Sequence, residues 1–575
     1  MNGSWAKKKQ HYWLHGKVRN AVAAALAVEP KLEWLENMQT CCPVGCKSGL
    51  CRHQFHIWLS KMKRTPSQCA GSTSRTLDDL EICVENFGPI LEATVELRPL
   101  TVFVGPGNTG KSCLAMLIYA LHRSFSDYSE SWRSSQPSLY HMFKSFGLGG
   151  RIDPKIQAIA EEMAEWHSVA VDGQRKESGD TPTLPIQALE KCFASRQDAI
   201  AHEICRCFGV ESIASLIHRN AAKSHVRLKR RGTHETQACT STLTFNPESC
   251  ELAVSIPQGI VPSSVTDEEK LFRQFLKKGK EQARAKILVD WLILNLQVDE
   301  ATPHIVGALH QPAFYLPAAR TGVLKALSAV VSAQIGHAPM AGGLRPTAQT
   351  PMLSGVYADF LKQLIEIADN RRRRPATGMP DLSSKIEKGI LDGNVRVDGA
   401  EATNCLQFSY IPRGWKKRSR SLLNASSMVS DLAPVVLYIR HLVSPGNVLI
   451  VEEPEAHLHP AMQIEFTRLL AELVLSGVRL IVTTHSEWLL EELANIVQRS
   501  KLPKVNGQSA EDRPALDPKQ VGVWQFAKRR RPKGSFVREI RIDESGLYPS
   551  DFDDVATALH NEWASIASRV EGKRE

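Results

Sequence analysis

At 575 residues and 43% hydrophobic composition, the chain can bury large cores and form two or three domains. No apolar run approaches the ~20 residues of a membrane span, and 13 scattered cysteines argue against a small disulfide scaffold and for reduced thiols in a cytoplasmic protein. The net charge of +10 is uneven, since residues 1–76 hold twelve Lys or Arg against three Glu, so +9 lies there and +1 on everything after.

That basic segment, 1–76, contains WAKKKQHYWLHGK and, at 61–64, KMKR. Cys42, Cys46, Cys51, His53 and His56 are enough ligands for zinc, yet their spacing follows no paired C-x-x-C pattern. Either a zinc-holding adaptor or an extension that adds little to function fits, and the second is preferred. Residues 21–28 are too short and too Ala-rich for a leader, and no cleavage site follows.

Residues 101–112 read TVFVGPGNTGKS: an apolar strand, then G-x-x-x-x-G-K-S, then a helix-like run over 113–121. This is a phosphate-binding loop in its required strand-to-helix context. Gly105, Gly107 and Gly110 are expected to let the backbone adopt conformations closed to other residues and aim N–H groups at phosphate oxygens. The nucleotide contacts are assigned to Gly105, Pro106, Gly107, Asn108, Thr109, Gly110, Lys111, Ser112 and Cys113. Lys111 reaches the β- and γ-phosphates, and the Ser112 hydroxyl ligates Mg2+.

About 310 residues separate this loop from the next motif, without a sustained heptad. Short helices are expected at 155–169, 186–208 and 267–296, with a strand-rich patch at 225–257 and an amphipathic helix at 356–371. Strands follow at 394–397 and 406–410. Basic clusters recur at 229–231, 371–374, 416–420 and 528–533; a DNA-backbone footprint requires several of them to converge on one face.

Residues 447–460, NVLIVEEPEAHLHP, begin as a strand buried on both faces and emerge into Glu452 and Glu453 before Pro454 ends the run. Such an acidic strand end suits a cation and an activated water. A helix over 461–475 closed by Gly477, then the strand VRLIVTT at 478–484, complete a βαβ unit whose polar ends share one sheet edge. His485, at the tip of that last strand, is positioned to reach a γ-phosphate. The remaining ~90 residues read as strand, basic turn, strand and a helix over 551–570 with Asp551, Asp553 and Asp554 at its start.

Together GPGNTGKS, IVEEPEAHLHP and IVTTHS resemble the ABC-type ATPases of the RecF, SMC and OLD-like group, and residues 80–106 look like that group's N-terminal sheet. The resemblance covers roughly 77–125 and 405–560. It implies an α/β P-loop fold of ABC/RecF-like type with an N-terminal antiparallel β subdomain and a large, mostly helical insertion. The implied divisions are 77–125 for the first part of an ATPase head, 126–400 for the insertion and 401–575 for the rest of the head. It further implies ATP with Mg2+, Glu452 in the Walker B place, Glu453 as the base or water-orienting carboxylate, and His485 as the switch histidine. The trans signature loop is matched by residues 425–433, where Ser426 falls on the family's serine and Ser427-Met428 replace its glycine pair. A recurring Y-x-P-A-x-R-[ST]-G segment places Arg320 either toward the nucleotide or partner, or among local carbonyls.

The expected function is ATP hydrolysis by a homodimer or higher oligomer joined through its heads, in DNA maintenance or anti-phage defence. The alternative is a slow sensor and scaffold ATPase that holds and releases a separately encoded effector. No separated Glu and D-x-D strands of a TOPRIM nuclease follow the switch histidine, so a nuclease is expected only as a separate partner. DNA is a second candidate partner, and no membrane contact is expected.

Overall fold

The computed structural model describes residues 80–126, 190, 193–194, 196–230, 238–257, 302, 305–325, 353–370, 379–398, 407–415, 419–502, 513–542, 546–547 and 550–571. The basic extension with its zinc hypothesis, the helices expected at 155–169 and 267–296, and the cluster at 371–374 lie outside the described residues. Contacts divide the chain into two units, one of Met1–Thr76, Asp127–Ser195 and Ser255–Ile305, the other of Leu77–Ser126, Arg196–Val254 and Val306–Glu575.

The second unit opens with β1 (Leu80–Phe87), β2 (Ile90–Leu97), β3 (Leu100–Val104) and α1 (Lys111–Phe125). Next come α2 (Gln197–Phe208), β4 (Ser224–Arg230), β5 (Cys239–Phe245), β6 (Cys250–Ser255) and β7 (Ala313–Leu316). They are followed by α3 (Gly355–Asn370), α4 (Pro380–Ile386), β8 (Gly393–Asp398), β9 (Gln407–Pro412), β10 (Arg420–Ser421) and α5 (Ser427–His441). The chain then runs through β11 (Val448–Glu452), α6 (Pro460–Leu475), β12 (Arg479–Thr484), α7 (Glu487–Arg499), β13 (Val521–Arg529), β14 (Gly534–Ile540) and α8 (Ser550–Glu571).

Among the described residues, eleven strands form one mixed sheet in the order β6-β5-β4-β1-β2-β14-β13-β3-β12-β11-β7. Its two halves follow from two sequence patterns. In β1, Leu80, Ile82 and Val84 are buried while the residues between them are partly exposed, the period-2 signature of a strand covered on one face. It pairs antiparallel with β2 and with β4. By contrast β3, LTVFV, and β11, VLIVE, are buried at every position. They lie in the half where β13, β3, β12, β11 and β7 run parallel, and such strands need cover on both faces.

Part of the expected 126–400 insertion is seen among the described residues. Its strand-rich patch, β4 to β6, continues the main sheet, because β4 supplies β1 with a partner along its free edge from Leu80↔Arg230 to Glu85↔His225. The chain between gives no local sign of that long-range pairing. β8, β9 and β10 form a separate three-stranded sheet.

The main core joins β3, β11 and β12 to α3, α5, α6 and α7. Eleven consecutive residues of α5, 429–439, are buried, as expected of a helix apolar on all sides and enclosed by other elements. No helix among the described residues is long and apolar enough to cross a membrane.

Candidate functional site

The loop after β3 is held open by its own backbone and by side chains beneath it. Gly105 has φ +136°, and a Cβ there would lie 2.3 Å from the Phe526 carbonyl oxygen on β13, so only glycine fits. Gly107 departs from expectation: its backbone is not left-handed and a Cβ would meet nothing within 4 Å. Asn108 takes the left-handed region instead, at φ +61°, a type that tolerates it, and so does Gly110, at φ +97°. Gly107 therefore leaves room above the loop rather than making its turn.

Thr109, buried, donates its hydroxyl to the Pro106 carbonyl at 2.8 Å. Lys111 Nζ donates to the Gly105 and Pro106 carbonyls at 2.7 and 2.9 Å. Ser112 is exposed in the first turn of α1, and Cys113 is half-buried, its thiol pushed up to about 12 by desolvation. A support that the sequence does not announce comes from β14: Ser535 donates its hydroxyl to the Thr109 carbonyl at 2.6 Å.

β3, β12 and β11 are parallel neighbours, so their carboxyl ends meet at one level: Val104 pairs with Thr484, and Thr483 with Glu452. The phosphate loop, His485 and the acid pair thus leave the sheet side by side. Glu452, 5% exposed, accepts the Ala318 N–H on Oε2 at 3.1 Å, while its Oε1 is buried without a hydrogen-bond partner. Glu453 has its carboxylate about half-exposed, 3.8 Å from His485 Nε2. Its backbone is left-handed, φ +42°, held by a 2.9 Å bond from its N–H to the Thr483 carbonyl. Strained positions of this kind persist where surroundings over-determine them, often at functional sites.

Glu455 was not singled out by sequence reasoning, although it is the third acid of the same motif. Its Oε1 accepts from the His485 N–H at 2.7 Å and from the Thr484 hydroxyl at 2.8 Å, fixing where the histidine leaves β12. Burial pushes its carboxyl up, opposed by those two bonds.

Arg320 sits among local carbonyls, the second of its two expected placements. It is fully buried and donates to the backbone oxygens of Asp431 at 3.1 Å, Pro317 at 3.1 Å, Glu452 at 2.7 Å and Glu453 at 3.2 Å. Burial lowers its affinity for the proton, and the acids around it work the other way. Asp431, one turn into α5, accepts from the Thr321 N–H and hydroxyl on Oδ1, at 3.1 and 2.6 Å, and its Oδ2 lies 3.4 Å from His457 Nε2. The turn that follows the acid pair is thereby tied to α5.

Ser426 is the N-cap of that helix, its hydroxyl accepting from the Val429 N–H at 3.4 Å. Of the two residues in place of the glycine pair, Ser427 is exposed at the helix start and Met428 packs partly against the core.

Two oxygens fit a divalent cation beside a triphosphate: the exposed Ser112 hydroxyl and the partnerless Glu452 Oε1, a hard-oxygen set of the kind Mg2+ takes with substrate phosphates. Among the described residues no cluster of three or more His, Cys, Asp or Glu could hold a metal by itself.

Residues 360–490 match the family described as AAA ATPase domain. No curated protein matches the chain. Among solved structures the chain is similar to an SMC head bound to the C-winged helix domain of ScpA, at 11% identity over 81% of this chain and 98% of that one, with a TM-score of 0.33. The SMC head domain from Thermotoga maritima shares 12% identity over 81% of this chain and 100% of that one, TM-score 0.29. An Smc head with an extended coiled coil, bound to the C-terminal domain of ScpA and derived from Pyrococcus furiosus, shares 12% over 84% and 98%, TM-score 0.31.

Proposed function

We propose that this chain binds and hydrolyses ATP as an ABC-type ATPase of the RecF/SMC/OLD-like group, working as a nucleotide-gated dimer. The observation that carries the proposal is the common level at which β3, β12 and β11 end, which sets the phosphate loop beside His485, Glu452 and Glu453. Three adjacent parallel strands ending in a glycine loop, a histidine and two acids supply a phosphate cradle and a carboxylate for water.

In this reading the backbone N–H groups of 105–113 and the start of α1 receive the phosphates. Lys111 turns from the Gly105 and Pro106 carbonyls to the β- and γ-phosphate oxygens. Ser112 and Glu452 Oε1 would hold Mg2+, which would supply neutralisation of charge on the phosphates. Glu453 accepts a hydrogen bond from water and aims it in line with the γ-phosphorus, taking the proton as the water oxygen bonds to phosphorus and the bond to the bridging oxygen breaks, its electron pair leaving with ADP. His485, positioned by Glu455, donates to the γ-phosphate. Ser426 of the partner head meets the same phosphate when two heads close.

The setting proposed is DNA maintenance or anti-phage defence, with a separately encoded effector. The test is phosphate release by the purified chain, with and without double-stranded DNA, across a salt series. Turnover that depends on Lys111 is the expected result, and stimulation by DNA that fades steeply with salt places phosphate-backbone contacts in the cycle. A slow rate indifferent to DNA assigns the cycle to a protein effector instead. No release above background, with nucleotide bound, removes hydrolysis from the proposal.

A further inference from the structure

We infer that the tip of the β13–β14 hairpin and the loop before β4 form one docking surface for double-stranded DNA, held through its phosphates. Residues 528–533 read KRRRPK, and every one of them is exposed. β13 runs past the end of β3, where Gln525 pairs with Val104, and the ribbon continues for four more pairs, from Phe526↔Val537 to Arg529↔Gly534. Its tip is pinned from the side. His218 accepts the Asn220 N–H on Nδ1 at 3.3 Å, so Nε2 carries the proton and donates to the Lys533 carbonyl at 3.0 Å. Both ends of the loop are bonded to β1, the His218 N–H to the Asn86 carbonyl at 2.8 Å and the Ser224 hydroxyl to the Glu85 carbonyl at 3.0 Å. Segments 315 residues apart are thus joined, and the loop adds exposed Arg219 and Lys223 to the basic tip. The cluster at 229–231 does not join them, since Lys229 lies toward the far end of β4, opposite Glu81.

The chemistry of the two segments says what they hold. Residues 212–230 and 526–538 contain no Asp or Glu, so nothing within either segment neutralises its charge. The acids flanking the β1–β2 turn, Glu85 and Glu92, are partners of one another across that pair. Gathered like charges repel, and such a surface is matched to an anion of many charges. No large apolar side chain is exposed in either segment. Protein interfaces are anchored by apolar and aromatic groups, and membrane-surface elements by an apolar face, so neither partner fits. Single strands are held by exposed aromatic rings that stack on their bases, which these segments do not offer. A two-stranded ribbon enters the B-form major groove, about 12 Å wide, whereas the A-form groove of duplex RNA is too narrow for side chains. Arg219 and Lys223 then meet phosphates flanking the groove. The surface adjoins the nucleotide loop, because Ser535, two residues beyond Lys533, donates to the Thr109 carbonyl. This deepens the DNA reading proposed above, and binding measured without nucleotide keeps it separate from hydrolysis.

The experiment is fluorescence anisotropy of a short labelled DNA duplex titrated with the full chain, in EDTA without nucleotide, over a salt series. If about four of these side chains meet phosphates, affinity falls on the order of 100-fold between about 50 and 200 mM salt. Arg530→Glu with Arg531→Glu is expected to weaken binding at least about tenfold and to lower the salt slope by about two. Arg219→Glu with Lys223→Glu is expected to do the same, and both variants to melt as wild type does, since all four side chains are exposed. The control is Lys388→Glu with Lys501→Glu, the same change in charge on exposed residues outside both segments, expected to alter affinity less than about twofold. Residues 1–76 carry +9 in every variant, so only differences between variants are read. A tip variant no weaker than the control overturns the proposal, as does a loop variant that binds as wild type does. Duplex RNA, single-stranded DNA or anionic phospholipid vesicles bound as tightly as duplex DNA overturn the choice of partner. The expected losses without any phosphate release support this surface and remove only hydrolysis.

Discussion

Arg320 donates to the main-chain carbonyl of Glu452 at 2.7 Å while being wholly buried. The same guanidinium reaches the Glu453 carbonyl, so one cation holds the backbone on which both acids are presented. Only a planar fork of five donors can bond four carbonyls on three separate segments at once. Its cost in desolvation is met by those bonds and by nearby acids, and its effect is to fix the direction in which the acid pair leaves β11.

Replacing Arg320 by Ala leaves the Pro317, Asp431, Glu452 and Glu453 carbonyls without this donor inside the core. A loss of at least about 3 kcal/mol in unfolding free energy is expected, read from urea melts. Arg320→Lys keeps a charge but loses the fork, and is expected to fall between the two. An unchanged urea midpoint for Arg320→Ala would remove the guanidinium from this role.

Glu453→Gln keeps the side chain's size and removes the proton acceptor. Turnover is expected to fall on the order of 100- to 1000-fold, with ATP binding retained and closed dimers accumulating. Phosphate release measured beside a fluorescent-nucleotide titration separates the two effects. Unaltered release would show that another group handles the water.

Gly105 and Gly107 of the phosphate loop should behave differently. Gly105→Ala forces a Cβ to 2.3 Å from the Phe526 carbonyl at φ +136°, so a destabilised loop, lower melting temperature and loss of nucleotide binding are expected. Gly107→Ala meets nothing within 4 Å and should melt as wild type does. Equal melting of both variants would contradict the crowding at Gly105.

His122, in the last turn of α1, is 1% exposed, and burial pushes its pKa down to about 3 from an ordinary 6.5, against a bond to the Gln311 carbonyl. The unfolded chain therefore binds the proton that the folded chain refuses. Stability from this residue is complete above about 6.5 and is lost as pH falls toward 3, by roughly 4–5 kcal/mol over the whole interval. His122→Leu is expected to flatten that acid limb in urea melts taken at successive pH values. A limb as steep as wild type would assign acid sensitivity elsewhere.

What could be read in the chain itself is whatever depends on near neighbours. Continuous apolar runs marked β3, β11 and β12 as strands covered on both faces, and Gly477, at φ +89°, marked the close of α6. The loop and acid motifs could be found because each is contiguous. Pairing is another matter, since it depends on which distant segment offers a free edge or an unsatisfied oxygen. Ser535 under Thr109, 426 residues away, carries no local signal, and β4 on β1 carries little more. Gly107 misleads for the same reason: its pattern is shared with Gly105, but only tertiary structure sets a carbonyl against one and open space against the other. Arg320 fits two placements until folding encloses it, because one residue type serves a phosphate or a ring of carbonyls equally well, and burial decides which is within reach.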